Sequence, residues 1–259
     1  MLPIFKYPAF GLWIAVSFFT ACKEDDAPAP VTDIFYKSMA SLKMEVAYEQ
    51  GAEPYAMSSS GDNVWKFTEL NIESLFVQRP VALDVMVPSG LNEMTALPDQ
   101  NKTGFTVDNI LELADQYRIS AGNETDGSIF ILFLDGYYKK DDALQMNVMG
   151  IQITGTTVVA VFKPLITALR GALVVREYAE QSVVIHEIGH AIGLVNNGLP
   201  LASSHHDSQH EAHCTNTDCV MYWENEGSNI SSFVQNYFGN NKKLIFGEEC
   251  VADVTEYMP

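Results

Sequence analysis

The sequence predicts an α+β protein: a mixed, twisted five-stranded sheet with helices, ending on the helix that carries His186 and His190, and then a smaller, irregular C-terminal subdomain. Three observations predict it. Hydrophobic periodicity alternates between strand-like and helix-like in the order β-α-β-α-β-β-β-α up to that helix. The run SIFILFL, Ser128 to Leu134, is continuously apolar, as expected of a strand covered on both faces at the centre of a sheet. After Gly198 the composition turns polar and His-rich.

Each element has its own signal. Lys43 to Tyr48 alternates and reads as the first strand. Residues 62–78 space Val64, Phe67, Leu70 and Leu75 for a helix begun by Asp62 or Asn63 and broken at Arg79-Pro80. Val81 to Val87 is a β-rich run stopped by Pro88, Ser89 and Gly90. Thr106 to Tyr117 turns Ile110, Leu111, Leu113 and Ala114 inward as a helix. Val148 to Thr154 and Thr157 to Phe162, either side of Gly155, read as an antiparallel pair near the sheet edge. The next helix begins near Glu177, and residues 199–259 form the smaller, loop-rich half.

At 259 residues and 47% hydrophobic content the chain can bury a real core. A net charge of −18 argues against nucleic acid or an anionic lipid surface as the main partner. The N-terminus reads as an address: Lys6, an apolar run too short to span a bilayer, then Cys22. Phe19-Thr20-Ala21-Cys22 resembles a bacterial lipobox, and the following Lys23, Glu24, Asp25 and Asp26 resemble the surface-export signal of some Gram-negative lipoproteins. The expected division is a signal peptide over 1–21, a lipidated Cys22 heading a tether over 22–33, an α/β part over 34–198, and the remainder over 199–259. The chain is expected as a monomer on the outer membrane, touching the bilayer through its lipid alone.

His186 and His190, four apart on a helix, project from one face, where both imidazoles reach a single ion. With Glu187 they form HExxH, in which two neutral imidazoles anchor Zn²⁺ and the carboxylate takes a proton from metal-activated water. The pattern arises by chance in roughly one chain in a hundred of this length, so its setting decides. Val183, Val184, Ile185, Ile188, Ala191, Ile192 and Leu194 make the helix apolar almost all round, and a polar triplet without a metal would be costly there. Gly189 and Gly193 cost helix propensity and point to a close backbone approach or a turn.

HEIGHAIGL resembles the start of the metzincin signature of zinc peptidases, HExxHxxGxxH, but Asn196 stands where the third histidine belongs. Farther on, His213-Cys214, Cys219 and Met221 resemble the archaemetzincin continuation, with residues 196–212 as an insertion. The resemblance implies His213 as third zinc ligand, Met221 as the Met-turn residue beneath the metal, Tyr222 as a candidate oxyanion donor, and a metzincin-like fold. His205, His206 and His210 compete with His213 for the third place. The later Cys-x-x-Cys of archaemetzincins is absent and only Cys250 follows, a departure that puts in doubt a second, structural zinc site of their kind. In an oxidising compartment Cys214 and Cys219 are expected as a disulfide.

These residues imply a peptidase with one catalytic Zn²⁺, acting on a peptide or protein substrate laid along an edge strand within residues 148–162. The alternative is a non-catalytic, zinc-binding surface lipoprotein using the His-rich loop. Glu187 separates the two, since zinc storage has no use for a carboxylate placed to activate water.

Overall fold

The computed structural model describes residues 31–79, 82–170, 173–227, 229–239 and 243–258. The expected signal peptide, Cys22 and most of the tether lie outside the described residues, as does Pro80.

Six strands fill the main sheet. β1 (Ser41–Glu49) pairs on one side with β5 (Asp126–Leu134) and on the other with two short strands, β2 (Asp84–Met86) along residues 41–43 and β3 (Thr95–Leu97) along residues 47–49. The expected five strands are therefore five positions, with one edge split in two. Pro88 to Gly90 interrupts that edge, and the chain rejoins β1 at Thr95. β9 (Val158–Phe162) lies parallel to β5, and β8 (Gly150–Gln152) closes the other edge antiparallel to β9. A separate three-stranded sheet, β4 (Gly104–Phe105), β6 (Tyr137–Lys140) and β7 (Ala143–Gln145), was not expected from periodicity.

The apolar run in β5 serves two cores by alternation. Ile129, Ile131 and Phe133 face the larger cluster, which also holds residues of α1 (Trp65–Leu75) and α3 (Leu173–Ala191). Phe130, Leu132 and Leu134 face the smaller one, with Ile110, Leu113 and Ala114 of α2 (Val107–Tyr117). Side-chain hydrogen bonds mark two helix starts. Asn63 Oδ1 accepts from the Trp65 N–H at 2.9 Å, and Thr106 caps α2 reciprocally with Asn109.

Beyond residue 198 the expected irregular tail is corrected. It carries α4 (Ile230–Gly239) and α5 (Glu248–Tyr257). Ile230, Phe233, Val234 and Tyr237 recur at helical spacing and are buried, as are Cys250, Asp253 and Val254. They join the larger core cluster or pack beside it, so its apolar residues come from both sides of residue 198. Among the described residues no helix is long and apolar enough to cross a membrane.

Candidate metal centre

α3 is buried along the stretch that carries the chemistry, with His186 fully inaccessible and Glu187 1% exposed. Two of its buried polar residues tie it to neighbouring segments. Glu180 accepts the Tyr55 N–H at 2.6 Å and pairs with Lys163, and Gln181 accepts from Thr68 at 2.7 Å. These bonds fix the rotation of the helix and thus the direction of His186 and His190 one turn on.

The two glycines have separate reasons. A side chain at Gly189 would strike the Met221 sulfur, so its absence lets Met221, fully buried, pack against the helix between the two histidines. Gly193 has φ +90° and turns the chain out of the helix, a conformation that other residues adopt only with strain. Asn196, at φ +61°, belongs to the same turn, and its side chain is exposed.

The chain then returns with a third imidazole. Cys214 N–H donates to the Met221 carbonyl at 2.8 Å, Asp207 N–H to the His213 carbonyl at 2.8 Å, and Ala212 takes φ +63° just before His213. The His213 ring centroid stands 5.2 Å from that of His186 and 5.0 Å from that of His190. The Nε2 atoms of His186 and His190 are 3.0 Å apart. His186 Nδ1 donates to the Val220 carbonyl at 2.6 Å, which orients the ring and turns Nε2 toward His190. Burial lowers His190 to a pKa of about 4, so that ring is neutral near pH 7.

Glu187 lies under β8. Gly150 is the strand residue over it, and a Cβ there would meet Glu187 Cγ at 2.9 Å. The buried Glu187 Oε1 has no hydrogen-bond partner, and burial, then the Glu226 carboxylate, hold the acid well above the usual carboxylate range.

Glu226 was missed. It sits at the end of a 3₁₀ turn, Trp223–Glu226, and its Oε1 lies 2.9 Å from His213 Nε2, 3.4 Å from His186 Nε2 and 3.7 Å from His190 Nε2. Burial would raise its pKa, but the three imidazoles beside it outweigh that and hold the carboxyl below its ordinary range. No spacing rule singles it out; the only hint is an acidic pair, Glu224 and Glu226, shortly after the Met.

The remaining expected residues go elsewhere. Tyr222 packs its ring near Trp223, at 6.1 Å between centroids, and lines a cleft with Asp218 and Phe233. His210 stacks on Trp223 at 4.0 Å and pairs with Asp207, while His206 Nε2 accepts the Ala212 N–H at 3.4 Å.

His205 joins the cysteines, and here the disulfide expectation is corrected. Cys214, Cys219 and Cys250 are all free and buried. Cys219 Sγ stands 3.6 Å from Cys250 Sγ, far beyond a bond of ~2.05 Å, and His205 Nδ1 lies 3.3 Å from Cys214 Sγ. α5 brings Cys250 into the group, which short-range spacing could not reveal. Asp253 accepts from His205 Nε2 at 2.8 Å, and the N–H groups of Asn216 and Gly247 point at Cys214 and Cys219 sulfur at 3.4 and 3.1 Å. Hydrogen bonds from Cys219 and Cys250 pull the Cys214 thiol down, whereas burial, reinforced by Cys214, pushes Cys219 up.

No family model matches the chain, and no curated protein sequence does. Among solved structures it is similar to a zinc-dependent peptidase from Methanocorpusculum labreanum, at 14% identity over 82% of this chain and 99% of that one, with a TM-score of 0.44. It is also similar to archaemetzincin from Archaeoglobus fulgidus complexed with malonate (16%, 82% and 99%, 0.41) and to archaemetzincin from Methanopyrus kandleri (15%, 78% and 97%, 0.43). At TM-scores below 0.5 these likenesses carry no weight for the chemistry, which stands on the chain's own residues.

Proposed function

We propose that this chain is a zinc-dependent endopeptidase of metzincin type, with His186, His190 and His213 as ligands of one catalytic ion and Glu187 as general base and acid. The observation that carries the reading is the convergence of three imidazoles, two of them buried, beside a buried carboxylate with an unpartnered oxygen. Three imidazoles are a donor set that suits catalytic zinc, and buried groups of this kind are costly without a cation. Bound zinc would polarise the scissile carbonyl and make water acidic near pH 7. Glu187 takes the water's proton and passes it to the leaving amine, and its raised pKa suits a group that must both accept and give. β8 offers its backbone to an extended substrate, and Gly150 keeps that strand close to Glu187. Met221 gives the site its floor.

The zinc-capture alternative is disfavoured by the dispersal of His205, His206 and His210 to separate partners. A second metal reading has an observation of its own. His205, Cys214 and Cys250 form a closed, buried group able to hold an ion, and Cys219, 3.6 Å from Cys250, completes a Cys₃His set suited to structural zinc, with Asp253 orienting the imidazole. Outside the described residues, the reading keeps a monomer anchored at Cys22 on the outer membrane and acting on extracytoplasmic protein. Cys22→Ser should leave the membrane fraction, and retention there would refute the anchor.

Glu187→Gln tests the mechanism. The variant should hold as much zinc as the wild type while kcat falls by ~10²–10⁴-fold. Equal cleavage of a peptide library by both proteins would refute the assignment.

A further inference from the structure

We propose that Glu226 is the fourth ligand of the His186, His190 and His213 site, so that the folded chain holds its peptidase closed until this carboxylate swings away. The inference rests on the zinc reading of that site. Ligands at ~2.0–2.1 Å from a tetrahedral zinc stand ~3.3 Å from one another. Glu226 Oε1 stands 2.9, 3.4 and 3.7 Å from the three Nε2 atoms, and the His186–His190 edge is 3.0 Å. Four of the six edges of a ligand tetrahedron are thus near that length, and all four ligand atoms lie within 4.8 Å of one another, whereas a catalytic site keeps one corner for water.

Charge points the same way. Glu187 is buried with its Oε1 unpartnered, and the Glu226 carboxylate lies against the same three imidazoles. A divalent cation offsets both carboxylates, and direct ligation by Glu226 leaves Glu187 free to act on water once the corner opens.

The chain also provides an exit. The Glu226 carbonyl accepts the Met149 N–H at 3.1 Å, which anchors the backbone at the start of β8. The side chain is 36% exposed and lines a cleft of about 210 Å³ with Asn147, Val148, Trp223 and Asn229. Rotation into that cleft frees the fourth corner without moving the strand.

The test uses the full-length, metal-loaded protein with Co²⁺ in place of Zn²⁺, alongside Glu226→Gln, which keeps the side chain's shape, and Glu226→Asp, which shortens it. Three readouts are compared: the visible spectrum of the cobalt, the affinity for acetohydroxamate, and peptide cleavage. Both variants should change the cobalt bands of this site and bind acetohydroxamate at least about tenfold more tightly, the gain expected if Glu226 holds the corner nine-tenths of the time or more. Both should cleave peptide faster. A variant spectrum and acetohydroxamate affinity equal to those of the wild type, or slower cleavage with metal retained, would overturn the proposal while leaving the zinc site intact. Failure of the wild type to take up metal through His186, His190 and His213 would instead overturn the zinc reading, and this proposal with it.

Discussion

Adding one methyl group at Gly150 measures how closely β8 must approach the site. A Cβ there would stand 2.7 Å from Val183 Cγ1 and 2.9 Å from both Cγ and Oε1 of Glu187, all closer than real Cβ contacts allow. Val183 is 1% exposed and has no free space to turn into, so relief must come from the Glu187 carboxylate or from lifting the strand. Overpacking of this kind costs ~1–3 kcal/mol, and a chain of this size loses ~2–4 °C of Tm per kcal/mol. The catalytic loss should be larger in proportion, because a displacement of ~1 Å at a reacting group costs ~10²-fold. Gly150→Ala is therefore expected to melt a few degrees lower and to lose ~10²-fold in kcat/KM, with its zinc content unchanged. Metal analysis, thermal melting and cleavage of a fluorogenic peptide would be run on one preparation. Wild-type kcat/KM in the zinc-loaded variant would refute the placement of Glu187 as the base beneath β8.

Two further outcomes follow from buried groups. Cys250→Ser should lower bound zinc from two ions per chain to one and reduce Tm while leaving the catalytic ion in place; peptide mapping without reduction that found Cys214 bonded to Cys219 would refute the Cys₃His group. In the metal-free protein, His190 titrates at about 4 rather than the ordinary 6.5, so between these values the unfolded chain binds the extra proton. Stability should accordingly fall as pH drops from 6.5 to 4, by up to ~3 kcal/mol, and His190→Gln should flatten that slope. Urea unfolding at several pH values would show it, and an unchanged slope in the variant would refute the burial of a neutral imidazole.

Legibility in the sequence followed the range of the interactions. The strand over 128–134, the antiparallel pair around Gly155 and the helix from Val107 each announce themselves by local periodicity or capping. The split edge at β2 and β3 and the small β4–β6–β7 sheet do not, because three-residue strands carry too little pattern. HExxH and the two glycines of its helix were readable as a unit, and the structure supplies the reasons: Met221 crosses at Gly189 and the chain turns at Gly193. His213 could be singled out only through a family-like frame of Cys and Met, and it lies with His186 and His190 in space. Glu226 and the meeting of Cys250 with His205 were hidden, since each depends on a turn or helix packed from far along the chain. The C-terminal helices were legible in principle from Ile230, Phe233, Val234 and Tyr237, but the asparagines around them masked the period.

The most direct measurement is anomalous scattering at the zinc edge from crystals of the zinc-loaded protein. One peak should lie ~2.0–2.1 Å from the Nε2 atoms of His186, His190 and His213, with Met221 beneath it and out of bonding reach. A catalytic-site peak held instead by His206, His210 or Asn196, or no peak between the three imidazoles at full zinc loading, would contradict the central claim that these residues form one zinc centre.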